Sequence, residues 1–121
     1  SDSIKENIVP TLTDKQKLIV YATEADVINV ALFGMTAKEW RENNPGKEGN
    51  IRDYADILHL VILSNLEVLN DSMIENNINS KDRIEKLNET AKRQMAILIN
   101  DNNIIGIERL DNQKLIGDIN K

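Results

Sequence analysis

Apolar residues recur along this chain at helical spacing, in blocks separated by Asn, Asp, Gly and Pro clusters. The densest block follows Pro45. There Ile57, Leu58, Leu60, Val61, Ile62 and Leu63 surround a helix axis on nearly every side, which a helix with one wet face would not do. The pattern predicts one long central helix that starts at Asn50 as its cap, carries Asp53 in its first turn and ends near Asn76 or Asn77. Upstream, Thr23 and Asp26 mark the start of a helix carrying Val27, Ile28, Val30, Ala31 and Leu32, which Gly34 stops. Thr36 and Glu39 have capping-box spacing for a second, shorter helix holding Trp40, ended by Asn43, Asn44, Pro45 and Gly46. After Ser80, Ile84, Leu87, Ala91, Met95 and Leu98 fall at steps of three or four, the mark of one-sided burial. Leu18–Tyr21 is too brief to decide between strand and helix and is assigned as extended.

These elements make an all-α small helical bundle of about four main helices around a long central one, with the Trp40 helix folded over one end. Residues 1–20 read as a flexible lead or linker, 21–100 as the helical domain, and 101–121 as a short helix or loose tail interrupted by Gly106. Ser1 reads as a cloning remnant and the chain as a fragment of a longer protein.

At 121 residues the chain suits one domain able to bury a core unaided. It has no cysteine, which removes disulfides, thiolate chemistry and Cys-ligated zinc and permits a cytoplasmic setting. No apolar run approaches the roughly 20 residues that span a bilayer, so no membrane association is expected. Fifteen basic against twenty acidic residues leave a formal charge of -5, which repels polyanions unless cations gather locally. Aromatics at 3% leave few platforms for stacking on single strands.

Candidate chemistry is sparse. Asp56 and His59 have the i, i+3 spacing of an acid-histidine metal pair, but His59 is the only histidine and the second pair that such a site needs is missing. Asp53 and Asp56 are the acids an enzyme would use, although acids at helix starts ordinarily offset the dipole. Ser64 and Ser72 sit mid-helix without a turn to expose them. No catalytic residue, cofactor or metal is assigned. Arg41 and Arg52 bracket the Pro45–Gly49 turn as a small basic spot, with Glu39, Glu42 and Asp53 placed to neutralise it. Asn65 and Asn70, on an apolar helix, need hydrogen-bond partners tying it to a loop or neighbour. The face from Lys81 to Arg93, with Asp82–Lys86 and Glu89–Arg93 pairs, reads as solvated surface.

The run ALFGMTAKEWRENNP, then GNIRDYADILHLVILSNLEVLN, then NSKDRIEKLNETAKRQMAIL resembles the C-terminal helical region of KilA-N domain proteins, a phage- and prophage-associated bacterial family. The likeness spans about Tyr21 to Leu98. It is closest at Trp40, Arg41, Asn50, Arg52, Asp53, Asn65, Glu67 and Asn70, among others, which are therefore the candidate polar-network or interaction residues. The resemblance implies a DNA-associated parent protein whose N-terminal KilA-N domain, absent here, makes the DNA contact. The expectation is a non-catalytic accessory domain for self-association, as a homodimer, or for docking a protein partner. Two alternatives stand beside it: direct nucleic-acid contact through Arg41, Arg52 and the 81–93 helix, and an enzyme using Asp53 and Asp56.

Overall fold

The computed structural model describes residues 8–100, and all regular structure among them is helical. An extended lead enters α1 (Asp14–Leu18), followed by α2 (Glu24–Phe33), α3 (Ala37–Asn43), a 3-10 turn (Ile51–Tyr54), α4 (Ile57–Glu75) and α5 (Ser80–Ile99). The molecule is a small all-α bundle in which α2, α4 and α5 pack on one another. Leu32, Ile51, Ile62, Leu66, Ile84 and Leu87 lie fully inside it, each contributing about 1.5 to 3 kcal/mol by leaving water.

The helix borders follow local capping chemistry. Thr23 Oγ1 accepts from Asp26 N, and Gly34 takes the left-handed conformation (φ +77°) that closes α2. Thr36 and Glu39 form the anticipated capping box at 3.1 and 2.9 Å. At the other end of the bundle Asn77 (φ +59°) closes α4, with Ile78 N donating to Met73 O and Asn77 N to Ile74 O. That doubled reverse bonding satisfies carbonyls the helix itself leaves open.

Four expectations are corrected. The single long helix from Asn50 is two elements: Asn50 and Asp53 do form a capping box, but on the 3-10 turn, and Asp56 then caps a new helix at Ile57. Two successive cap residues in one stretch give the backbone two starting points, and Ala55, extended at ψ +148°, separates them. The helix buried on all sides is α2, where every residue from Val27 to Phe33 is inside, whereas α4 leaves Leu60 and Val68 in solvent. Residues 8–20 are not simply a lead, because Leu12 is in the core and Thr13 with Gln16 caps α1. Finally, α4 is long and apolar enough by length and composition to cross a membrane, although a third of that stretch is buried within this bundle. The tail 101–121 lies outside the described residues.

Gly34 ties the lead to α2: a Cβ there would sit 2.7 Å from Pro10 Cγ. Gly46 has a similar φ (+86°) with open space around it. Gly34→Ala is therefore expected to cost about 2 to 4 kcal/mol, from backbone strain plus overpacking, and Gly46→Ala about 1 to 2 from strain alone. Urea unfolding of the two variants side by side checks the difference; equal losses would mean that the lead yields freely at Pro10.

Candidate functional site

The polar side chains suggested by the sequence fall into separate groups, and two of these are structural ties. His59 is fully buried and stacks on Phe33 with ring centroids 5.6 Å apart. Its Nδ1 lies 2.8 Å from Asp56 Oδ1 and its Nε2 2.8 Å from the Ile8 carbonyl. The Ile8 carbonyl only accepts, so Nε2 donates to it. Burial pushes the Asp56 carboxyl up, but hydrogen bonds from the His59 ring and backbone N–H, together with the imidazole charge, outweigh this and hold it below the usual carboxylate range. The acid-histidine pair thus caps α4 and fastens the lead, and both ring nitrogens are engaged without a metal. Among the described residues no group of three or more His, Asp or Glu is placed to hold one.

The second tie centres on Arg83, at the start of α5. Its Nε donates to Asn70 Oδ1 (3.1 Å), Nη1 to the Ile78 carbonyl (2.7 Å), and Nη2 to both Glu24 oxygens (2.9 and 2.7 Å), while Asn70 Nδ2 donates to Glu24 Oε1 (3.0 Å). One guanidinium therefore joins α2, α4, α5 and the turn between the last two. Asn70 is the expected buried amide, and it finds its partners here. Asn65 differs: it is exposed and donates to Gln94 Oε1 on α5 at 2.9 Å. The 81–93 face is corrected as well, since Arg83 is buried and the ion pair found there is Lys81–Glu85 at 3.3 Å. Arg83 was legible in principle: stepping four residues from it reaches Leu87 and then Ala91, the centre of the apolar stripe.

The third group forms a cleft. Arg41 on α3 and Arg52 on the 3-10 turn line an opening of about 420 Å³ together with Ala25, Asn29, Ala37, Asn50 and Ile51. Trp40 is buried and packs on Tyr54, centroids 5.0 Å apart, which fixes α3 against the 3-10 turn. Lys47 lies over the same Tyr54 ring at 5.4 Å. None of Glu39, Glu42 and Asp53 forms an ion pair with Arg41 or Arg52. Glu39 and Asp53 are turned back as caps onto Thr36 N and Asn50 N. Arg52 instead meets Glu67 of α4 across 3.7 Å, both side chains well exposed, a pair worth at most about 1 kcal/mol. Arg41 has no ion-pair partner among the described residues.

Asn29 was missed at the sequence level although it interrupts the apolar run of α2. It is only 4% exposed, and its Oδ1 has no hydrogen-bond partner, a condition that costs about 1 to 3 kcal/mol. Asp56 Oδ2 and Thr90 Oγ1 share that condition among the described residues.

The last group is the outer side of α4. Leu60, Ser64, Val68 and Ser72, four residues apart, are all exposed, Val68 by 70%. On α5, Ile97 is 57% exposed and borders a shallow groove with Asn65, Gln94 and Leu98.

Truncating Arg83 to Met is expected to cost about 3 to 5 kcal/mol, since it strands Asn70 and the Ile78 carbonyl; chemical denaturation reads this directly, and a loss below 1 kcal/mol would assign the network to the surface. The Asp56 carboxyl, lowered in the fold, contributes stability that is present above its ordinary value of 3.8 and is lost as pH falls through the folded value. Asp56→Asn keeps a capping oxygen but not the charge. Its stability is expected to fall less steeply than that of the native chain as pH drops from 5 to 2, with the two profiles converging in acid; parallel profiles would remove the pair from the pH response.

No family model, no curated protein and no solved structure matches this chain.

Proposed function

We propose that this domain is a non-catalytic accessory module that pairs with a second copy of itself through the outer side of α4. One observation carries the reading: Leu60, Ser64, Val68 and Ser72 form an exposed, uncharged ridge in which large and small residues alternate at four-residue steps. Such ridges interdigitate when two helices cross. With a twofold axis between Ser64 and Val68, Leu60 faces Ser72 of the second copy and Ser64 faces its Val68, so each large side chain meets a small one. In the same register Glu67 faces Asn65 and Asp71 faces Val61, and no acid opposes an acid. A twofold contact of this kind closes on itself and stops at the dimer.

The likeness to the C-terminal region of KilA-N proteins supplies the context. A dimer of such modules would hold two DNA-binding heads together and raise their joint affinity through effective concentration. The alternatives draw less support. Of the α5 cations counted for nucleic-acid contact, Arg83 is buried, Lys81 pairs with Glu85 and Lys92 donates to Thr11. The acids proposed for an enzyme, Asp53 and Asp56, are committed to capping Asn50 N and His59 N at 2.8 and 2.9 Å.

Light scattering on the chain across a wide concentration range is expected to give a dimer mass, and Val68→Glu a monomer of unchanged helical content, because Val68 supports nothing inside its own fold. A monomer at every concentration, or a dimer indifferent to Val68→Glu, would overturn the reading.

A further inference from the structure

We propose that the extended lead is held by a proton-dependent latch: His59 grips the Ile8 carbonyl only while the His59–Asp56 pair holds a second hydrogen, and residues 8 and 9 come away from α4 as pH rises. His59 is fully buried, with Asp56 Oδ1 2.8 Å from Nδ1 and the Ile8 carbonyl 2.8 Å from Nε2. Filling both contacts takes two hydrogens, one on Nε2 and one between Nδ1 and Oδ1, whichever of those two atoms carries it. Removing one leaves a neutral imidazole with a single N–H between two acceptors. One contact then sets lone pair against lone pair.

Which contact yields follows from what holds each oxygen. Asp56 Oδ1 also accepts from His59 N at 2.9 Å as the cap of α4, and an ionised acceptor binds an N–H more strongly than a neutral carbonyl. The remaining N–H therefore goes to Asp56, and Nε2 presents a lone pair to Ile8, which is 45% exposed and free to move off. The rest of the lead has ties that use no hydrogen of this pair: Asn88 Nδ2 to the Pro10 carbonyl at 2.8 Å and Lys92 Nζ to Thr11 Oγ1 at 3.1 Å. Leu12 is also anchored in the core. Opening is thus confined to residues 8 and 9, which border a groove of about 360 Å³ with Lys92, Met95, Ala96 and Ile99 of α5, and it widens that groove. The surroundings of the ring are the uncharged Phe33 from α2, a backbone carbonyl from the lead, Lys92 of α5 bordering the same groove as Ile8, and the Asp56 carboxylate on α4 itself. Imidazole is the group among these that ordinarily changes charge between about pH 5 and 8. The latch uses no residue of the exposed α4 ridge, so it and self-association stand or fall separately.

The test is an NMR titration of the whole chain from pH 5 to 9 at constant ionic strength. The readout is the His59 ring nitrogens and the backbone amides of Val9 and Thr11. Val9 N–H shares a peptide group with the Ile8 carbonyl and Thr11 N–H with the Pro10 carbonyl, so each amide reports on one tie. With rising pH the ring is expected to settle with its hydrogen on Nδ1, and the Val9 signal to shift with the same midpoint while Thr11 holds still. His59→Gln should remove the pH dependence of Val9; if that variant does not fold, the native titration decides alone. A Val9 amide that stays put while the ring titrates, a Thr11 amide that follows it, a ring that does not titrate in this range or keeps its hydrogen on Nε2, or a Val9 transition that survives His59→Gln would overturn the proposal.

Discussion

Burial of α2 on every side is the constraint that the other features of this bundle answer. Seven consecutive residues, Val27 to Phe33, are inside, so the polar groups at the enclosed C-terminal end of that helix need partners from other elements. At the start, Glu24 is gripped by Arg83 and Asn70. At the end, the Ala31 carbonyl, one of the last four that a helix leaves open, accepts from Asn88 Nδ2 of α5 at 2.9 Å. The same amide nitrogen also donates to the Pro10 carbonyl at 2.8 Å, and Gln16 Nε2 closes on the Gly34 carbonyl at 3.0 Å. The extended lead is thus part of the capping of α2, held a second time where His59 meets Ile8.

This division of labour explains what could be read from the sequence. Cap residues act within four positions of themselves, so Thr23, Gly34, Thr36 with Glu39, and the end of α4 near Asn77 were all legible. The stripe through Ile84, Leu87, Ala91 and Met95 was legible for the same reason: its period is local. What escaped depends on contacts between distant segments. Which of two apolar helices is enclosed cannot be decided from α2 and α4 separately, since each is apolar on several sides. The lead looks polar and unstructured until Asn88 and His59, nearly eighty and fifty residues away, reach it. Arg83, Asn88 and Asn29 were visible as polar residues within apolar patterns, and each turns out to be bonded across the bundle or, for Asn29, unpaired.

The candidate site residues divide accordingly. Trp40, Asn50, Asp53 and Asn70 are occupied in building the fold. Arg41 and, more loosely, Arg52 are not, and they line one opening with Asn29, near the Trp40–Tyr54 contact that holds α3 to the 3-10 turn. The outer ridge of α4 is exposed because α4 is more apolar than its share of the core requires. The bundle joins its distant segments through long-range ties and leaves an apolar ridge on α4 in solvent.

The most direct test of the account is residue-resolved hydrogen exchange on Asn88→Ala compared with the native chain. If side chains from α5 close the ends of α2, removing this amide strands two carbonyls, and protection should fall together in the 28–34 segment and in the lead around residues 11–16, with a global loss of about 2 to 4 kcal/mol. Unchanged protection of α2, with exchange accelerated only around residue 88, would contradict it.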